Sequence, residues 1–124
     1  MDNVFAYPDP VWRRFVAPAR SGRLNTADAL CVQARTPAAA AVLELSLRAG
    51  PPAQARFRAF GCPVTIAVGA WLAEVLETEG VAALQRIDAA HILSTLEIPQ
   101  DRAHCALLGE DVVLALRKAL NPAV

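Results

Sequence analysis

Apolar and polar residues first alternate with a period of two, and after Phe60 the period lengthens to about 3.6. Three stretches carry the short period. In Leu30-Cys31-Val32-Gln33-Ala34-Arg35, Leu30, Val32 and Ala34 share one face, while Cys31, Gln33 and Arg35 share the other. Leu43 to Arg48 and Gln54 to Phe60 alternate in the same way. Gly50-Pro51-Pro52 separates them, which predicts an antiparallel hairpin with one wet face. Beyond Phe60, Val64, Val68, Trp71, Leu72 and Val75 form a helical stripe, opened by Pro63 and closed by Gly80. A shorter helix is predicted from about Asp88 to Leu96. After Pro99 a last helix is expected, with Asp101 as its N-cap and Cys105, Leu108, Val112, Leu116 and Leu120 along one side.

Ahead of the strands, Val11 to Val16 is predicted to make one or two helical turns, ended by Pro18 and Gly22, and Gly22 to Asp28 reads as a loop. Strands first and helices afterwards predict an α+β fold, a small three-stranded antiparallel sheet with helices packed on one face. No internal repeat or interdomain linker breaks the pattern, so residues 1–124 are expected to form a single domain.

Composition narrows the function classes. Apolar residues make up 55% of the 124 positions, enough to bury a core, and the 12 basic side chains are balanced by 12 acidic ones. That balance gives no basic footprint for nucleic acid. No stretch approaches the ~20 apolar residues of a membrane span, and the first residues lack a secretory signal, so a cytoplasmic location is expected. The three cysteines are an odd number and fit reduced thiols better than a disulfide framework.

Two of those cysteines occupy corresponding places. Cys62 lies at a strand-to-helix junction and Cys105 in the first turn of the last helix, directly after His104. Unpaired N–H groups at a helix start favour a thiolate, the form that binds soft metals. If the two helix starts converge, Cys62, His104 and Cys105 form a two-sulfur, one-nitrogen constellation. Its chemistry suits zinc and iron–sulfur clusters alike. The competing structural reading makes both cysteines core padding and His104 an ordinary helix residue. An enzyme is not expected, because the chain has no phosphate-cradling glycine loop. The neighbouring His104 and Cys105 also point about 100° apart on a helix, a strained arrangement for a base and nucleophile. His91 reads as a packing or surface residue and Asp111 as solvated.

The segment Ala55-Arg56-Phe57-Arg58-Ala59-Phe60-Gly61-Cys62-Pro63-Val64-Thr65-Ile66-Ala67 resembles the "DARF-aromatic-GC-x-x-x-IA" signature of the iron–sulfur cluster assembly scaffolds, the IscU type and the N-terminal domain of NifU. Leu96-Glu97-Ile98-Pro99, followed by His104-Cys105-Ala106-Leu107-Leu108-Gly109-Glu110-Asp111-Val112, resembles the same family's "L-x-LPP…HC-x-x-LAEDA" tail. Tyr7, Phe15, Pro18 and Gly22 resemble its opening. Like the IscU type, and unlike the zinc-binding SufU type, the chain has no insertion between Cys62 and Cys105.

The resemblance implies a scaffold that receives sulfur from a cysteine desulfurase and iron from a donor. Such a scaffold builds a [2Fe-2S] cluster and passes it on with an Hsp70-type chaperone pair. It assigns Cys62 and Cys105 as the second and third cysteine ligands and His104 as the histidine. The first cysteine and the aspartate of the family's "P-x-C-G-D" loop are replaced by Ala39 and Ala41 within Pro37-Ala38-Ala39-Ala40-Ala41. The chaperone-recognition element reads Ile98-Pro99-Gln100-Asp101-Arg102, short of one proline and with an acidic residue inside it. The serine-rich run after the second cysteine is Val68-Gly69-Ala70, expected to make that helix surface less polar.

Cys31 does not substitute for the lost ligand, since a straight strand places it up to ~26 Å from Ala39. Three expectations follow. The chain binds iron, a cluster or a single metal through Cys62, His104 and Cys105, with a fourth ligand from elsewhere. Alternatively, it is a degenerate relative without a cofactor that acts as an adaptor or regulator of the assembly machinery. Third, it is a three-ligand zinc protein.

Overall fold

The computed structural model describes residues 2–36 and 40–121. Helix α1 (Asp9–Val16) is followed by strands β1 (Leu30–Thr36), β2 (Ala41–Arg48) and β3 (Gln54–Phe60). Helix α2 (Pro63–Glu79), a 3-10 turn at Val81–Gln85, helix α3 (Ala89–Leu96), a second 3-10 turn at Gln100–Arg102 and helix α4 (Ala103–Leu120) complete the order. The strands form one antiparallel sheet in the order β1-β2-β3, with Val32 opposite Leu45 and Leu45 opposite Phe57. This is the predicted α+β fold. Helices α2 and α4 pack on the face carrying Leu43, Leu45 and Leu47, all three fully buried. Ala39, where the resemblance places the lost first cysteine, lies outside the described residues.

Helix α2 is more deeply enclosed than its stripe implied. It is buried along Val64, Thr65, Ala67 to Ala73, Val75 and Leu76, because the sheet, α1 and α4 surround it. Val68-Gly69-Ala70 is therefore core and not a less polar surface, which corrects the sequence reading. A methyl group on Gly69 would stand 2.6 Å from Phe57 Cδ2 and 2.8 Å from Leu43 Cδ1. One on Gly109 of α4 would stand 2.7 Å from Val68 Cγ1 and 2.9 Å from Ile92 Cδ1. Hydrogen in place of a side chain at these two points lets α2 lie close against both the sheet and α4.

Two further expectations change. The predicted wet face of the hairpin is covered at β2, where Glu44 and Ser46 are buried. Glu44 accepts hydrogen bonds from Arg58 Nε at 2.7 Å and Arg23 Nη2 at 3.2 Å, and Ser46 accepts one from the Leu24 N–H at 3.0 Å. The segment after α1 runs beside β3, exchanging backbone hydrogen bonds between Phe57 and both Arg20 and Gly22, and then crosses this face. Asp101 is not the N-cap of α4. Pro99 leads into the 3-10 turn, which makes Arg102 the residue before α4 and pairs the exposed Asp101 with Arg102.

The short helix starts as read, with Asp88 accepting the His91 N–H at 2.8 Å, while Glu110 accepts the Ala89 N–H at 2.8 Å. His91 sets its ring edge against Trp71.

The Arg58 hydrogen bond holds the Glu44 carboxyl below its ordinary range, with Arg23 adding to it against the opposing effect of burial. A carboxyl depressed on folding contributes stability that is present above the unfolded-state value and lost as pH falls through the folded-state one. Glu44→Gln is expected to cost about 1–3 kcal/mol at neutral pH and to flatten part of the acid limb below about pH 4.5. Urea midpoints measured between pH 3 and 7 on both proteins check this. Parallel acid limbs for the two would reject it.

Candidate functional site

Strand β3 ends at Phe60, and two residues turn the chain into α2. Gly61 takes φ +150°, and a methyl group there would lie 2.8 Å from Thr65 Oγ1 and 3.3 Å from the Ala41 methyl. The tight turn and the close neighbours both require glycine. Cys62 follows in extended conformation (φ −74°, ψ 169°) as the N-cap of α2, with Pro63 beginning the helix proper. Pro63 has no N–H to satisfy, so the free donors at this helix start are those of Val64 and Thr65.

Because α2 and α4 pack closely through Gly109, their N-terminal ends meet. Cys62 Sγ and Cys105 Sγ are 3.7 Å apart. Thr65 Oγ1 lies 3.4 Å from the sulfur of Cys105 and 3.7 Å from that of Cys62. The two sulfurs differ in environment. Cys62 is half-buried, whereas Cys105 is completely enclosed.

The pair shares a proton unequally. A hydrogen bond from the Cys105 thiol brings Cys62 down to about 4, against the opposing effect of burial, with the Thr65 and Val64 N–H groups and the Thr65 hydroxyl adding to it. Cys105 moves up from its ordinary value, first because it donates that hydrogen bond and then because it is buried beside a negative sulfur. Both effects push Cys62 toward the thiolate and Cys105 toward the thiol. Arg102, just before α4, places a positive charge nearby. Its guanidinium is raised first by a hydrogen bond with Tyr7, then by Asp101 and by the charge on Cys62. A cleft of about 370 Å³ opens beside it, lined by Phe5, Ala6, Tyr7, Pro99, Asp101 and Arg102.

The predicted trio is therefore brought together in part. The cysteines meet, but among the described residues no group of three His, Cys, Asp or Glu side chains is placed to hold a metal ion. His104 is half-exposed and, as placed, does not complete such a group with the two cysteines. Ala41, where the resemblance implies an aspartate, is buried beside Gly61 and offers no donor.

Cys31 is exposed on the sheet face away from the helices, 3.3 Å from Arg23 Nη2. Asp111 is exposed as well. Sequence reasoning gave Thr65 and Arg102 no part in the site. For Thr65 a signal existed: it stands three positions after an N-cap, where a side chain can reach back to the cap. Arg102 had none, because its place depends on the 3-10 turn before α4.

Comparison with known proteins places the chain among relatives. The family model described as "NifU-like N terminal domain" matches residues 6–121. The iron-sulfur cluster assembly scaffold protein IscU of Haemophilus influenzae is 26% identical over 115 residues, covering 89% of this chain and 91% of that protein. The IscU scaffold of Rickettsia prowazekii is 30% identical over 82 residues, covering 64% of this chain and 63% of the relative's length.

Among solved structures, a putative iron-sulfur cluster assembly scaffold protein for the SUF system from Fervidobacterium islandicum superposes with a TM-score of 0.69 at 13% identity. The match covers 92% of this chain and 98% of that one. The N-terminal part of a NifU-like protein from Brucella abortus gives 0.57 at 12% identity, over 89% and 79% of the two chains. At these identities the structures establish the shared fold.

The shared proton has a measurable consequence. In a Cys31→Ala background, the rate of Cys62 alkylation by iodoacetamide is expected to be nearly flat from pH 6 to 9, since the thiolate is already formed. Adding Cys105→Ala removes the donor, so Cys62 moves up and its rate falls at pH 6 and climbs with pH. A rate in the single variant that already rises about tenfold per pH unit would reject the thiolate assignment.

Proposed function

We propose a function for this chain from one premise: it belongs to the NifU-like N-terminal domain family. Its relatives include IscU proteins named as iron–sulfur cluster assembly scaffolds. We infer that this chain is a non-catalytic, scaffold-like component of iron–sulfur cluster assembly. Its cargo is iron, sulfide or a [2Fe-2S] unit, held transiently through Cys62 and Cys105.

The observation that carries this reading is the 3.7 Å approach of two sulfurs from two helix starts, one of them half-buried and held toward the thiolate form. Soft thiolate donors suit iron–sulfur cargo, and Arg102 and the α2 N–H groups offset negative charge at the site. Two sulfurs satisfy half of a cluster's usual demand for four ligands. His104 becomes the third donor by side-chain rotation, and a partner, most simply the cysteine desulfurase that delivers sulfur, supplies the rest. Such a site holds cargo more loosely than a complete ligand set, which favours handing it on.

One observation favours a second reading. Ala41 is buried where the family places its aspartate, and among the described residues no three-donor cluster exists. On this reading the chain keeps the family's shape and docks on the desulfurase as an adaptor or regulator without building a cluster.

Anaerobic incubation with ferrous iron, cysteine and a cysteine desulfurase separates the two. The scaffold reading expects visible cluster absorption and bound iron in the parent protein, with at least a tenfold loss in Cys62→Ala/Cys105→Ala and a smaller loss in His104→Ala. Desulfurase binding without any chromophore beyond that of the double variant supports the adaptor. Stoichiometric zinc that withstands the same treatment would reject both in favour of a zinc site.

A further inference from the structure

A pair of thiols held this close, one reachable and one enclosed, has a chemistry of its own that needs no metal. We propose that Cys62 and Cys105 form a reversible intramolecular disulfide, with Cys62 the residue oxidised first and Cys105 the resolving thiol. What this does to cargo rests on the reading above; formation of the bond does not.

The geometry supports the step in three ways. The sulfurs are 3.7 Å apart, so a bond of ~2.05 Å requires them to close by about 1.7 Å. Cys62 is the N-cap, in extended backbone, and turning its side chain toward its neighbour leaves the bond from the Ile66 N–H to its carbonyl in place. Access is also ordered: a solute reaches Cys62, whereas Cys105 has no exposed surface and meets only what Cys62 carries to it.

With a peroxide as oxidant the step balances. The Cys62 sulfur attacks one peroxide oxygen and the O–O bond breaks. The sulfur is oxidised to a sulfenic acid, and hydroxide leaves and takes a proton from solvent. The Cys105 sulfur then attacks Cys62 Sγ. The S–S bond forms as the S–O bond breaks, and the hydroxyl departs as water with the proton that Cys105 gives up. Thr65 Oγ1, 3.4 Å from the Cys105 sulfur and 3.7 Å from that of Cys62, stands where it can relay that proton. Two electrons pass from the two sulfurs to the peroxide. A small dithiol reverses the change by exchange at the Cys62 sulfur, the more accessible of the two.

Cys31 provides an internal contrast. It is exposed on the far face of the sheet, and the chain's other two cysteines are the pair itself. Its oxidation ends in a sulfur acid or a link between molecules.

The consequence for function is exclusive occupancy. Sulfurs bonded to each other cannot serve as thiolate ligands, so oxidation closes the site to iron and sulfide, and reduction reopens it.

The test uses the full chain carrying Cys31→Ser, reduced and then exposed to hydrogen peroxide at about one equivalent per protein. The expected product is a monomer lighter by two hydrogen atoms, in which neither remaining cysteine reacts with iodoacetamide. After trypsin, peptide 59–86 is expected to be joined to peptide 103–117, and dithiothreitol is expected to separate them. In Cys31→Ser/Cys105→Ser the sulfenic acid, its higher acids or a cross-linked dimer accumulate at Cys62 instead.

Oxygen addition at Cys62 with Cys105 still reduced, in the chain that retains both cysteines, would overturn the proposal. That readout needs no substitution within the pair and so does not depend on the variant's folding. Iron and sulfide loading of the reduced and oxidised forms then separates the two ideas. If the reduced form takes up no cargo yet the linked peptides are found, the scaffold reading fails and the disulfide stands.

Discussion

Close contact between α2 and its neighbours is the constraint on which the site depends. Gly69 sits against Phe57 and Leu43 of the sheet, and Gly109 sits against Val68 and Ile92, with no room for a methyl group at either point. Two helices held this tightly have no freedom to slide independently, so the places where they begin are fixed relative to each other. Cys62 caps one and Cys105 occupies the first turn of the other. Their 3.7 Å separation is therefore a product of core packing forty-odd residues apart in sequence, and no local motif encodes it.

Much of the fold was legible because its signals are local. Strict alternation marks β1 and β3, and the change of period at Phe60 marks the start of α2 at Pro63. Of the features that were not legible, two depend on distant partners and one on an unsignalled local turn. Alternation in β2 predicted a wet face, yet Glu44 is buried there because Arg23 and Arg58 neutralise it and the segment after α1 lies across it. Val68-Gly69-Ala70 looked like altered helix surface, but three other elements cover it. Asp101 resembled an N-cap by type and position, and the intervening 3-10 turn moved that role to Arg102.

The same distinction applies within the site. That two helix starts carry cysteines was readable from Gly61-Cys62-Pro63 and from the pattern after Pro99. That the sulfurs meet could only be stated as a condition, and the structure meets it. His104 was readable as a candidate third ligand because it adjoins Cys105 in sequence, but as placed its side chain does not stand with the two sulfurs. Thr65, three positions from Cys62, is the residue that helical geometry does bring back to the cap.

The gap between the two sulfurs gives the site a simple logic. The lowered Cys62 and raised Cys105 favour one proton in that gap in the reduced protein, on the side of the buried Cys105. A soft cation that bridges both sulfurs must displace that proton, because Cys105 becomes a good ligand only as a thiolate. A covalent bond between the sulfurs also expels the proton and leaves no lone pair of thiolate character for a metal. On the proposed reading, proton, metal and disulfide compete for one narrow space. Because Cys105 is enclosed, whatever comes to it from solvent must pass the half-buried Cys62.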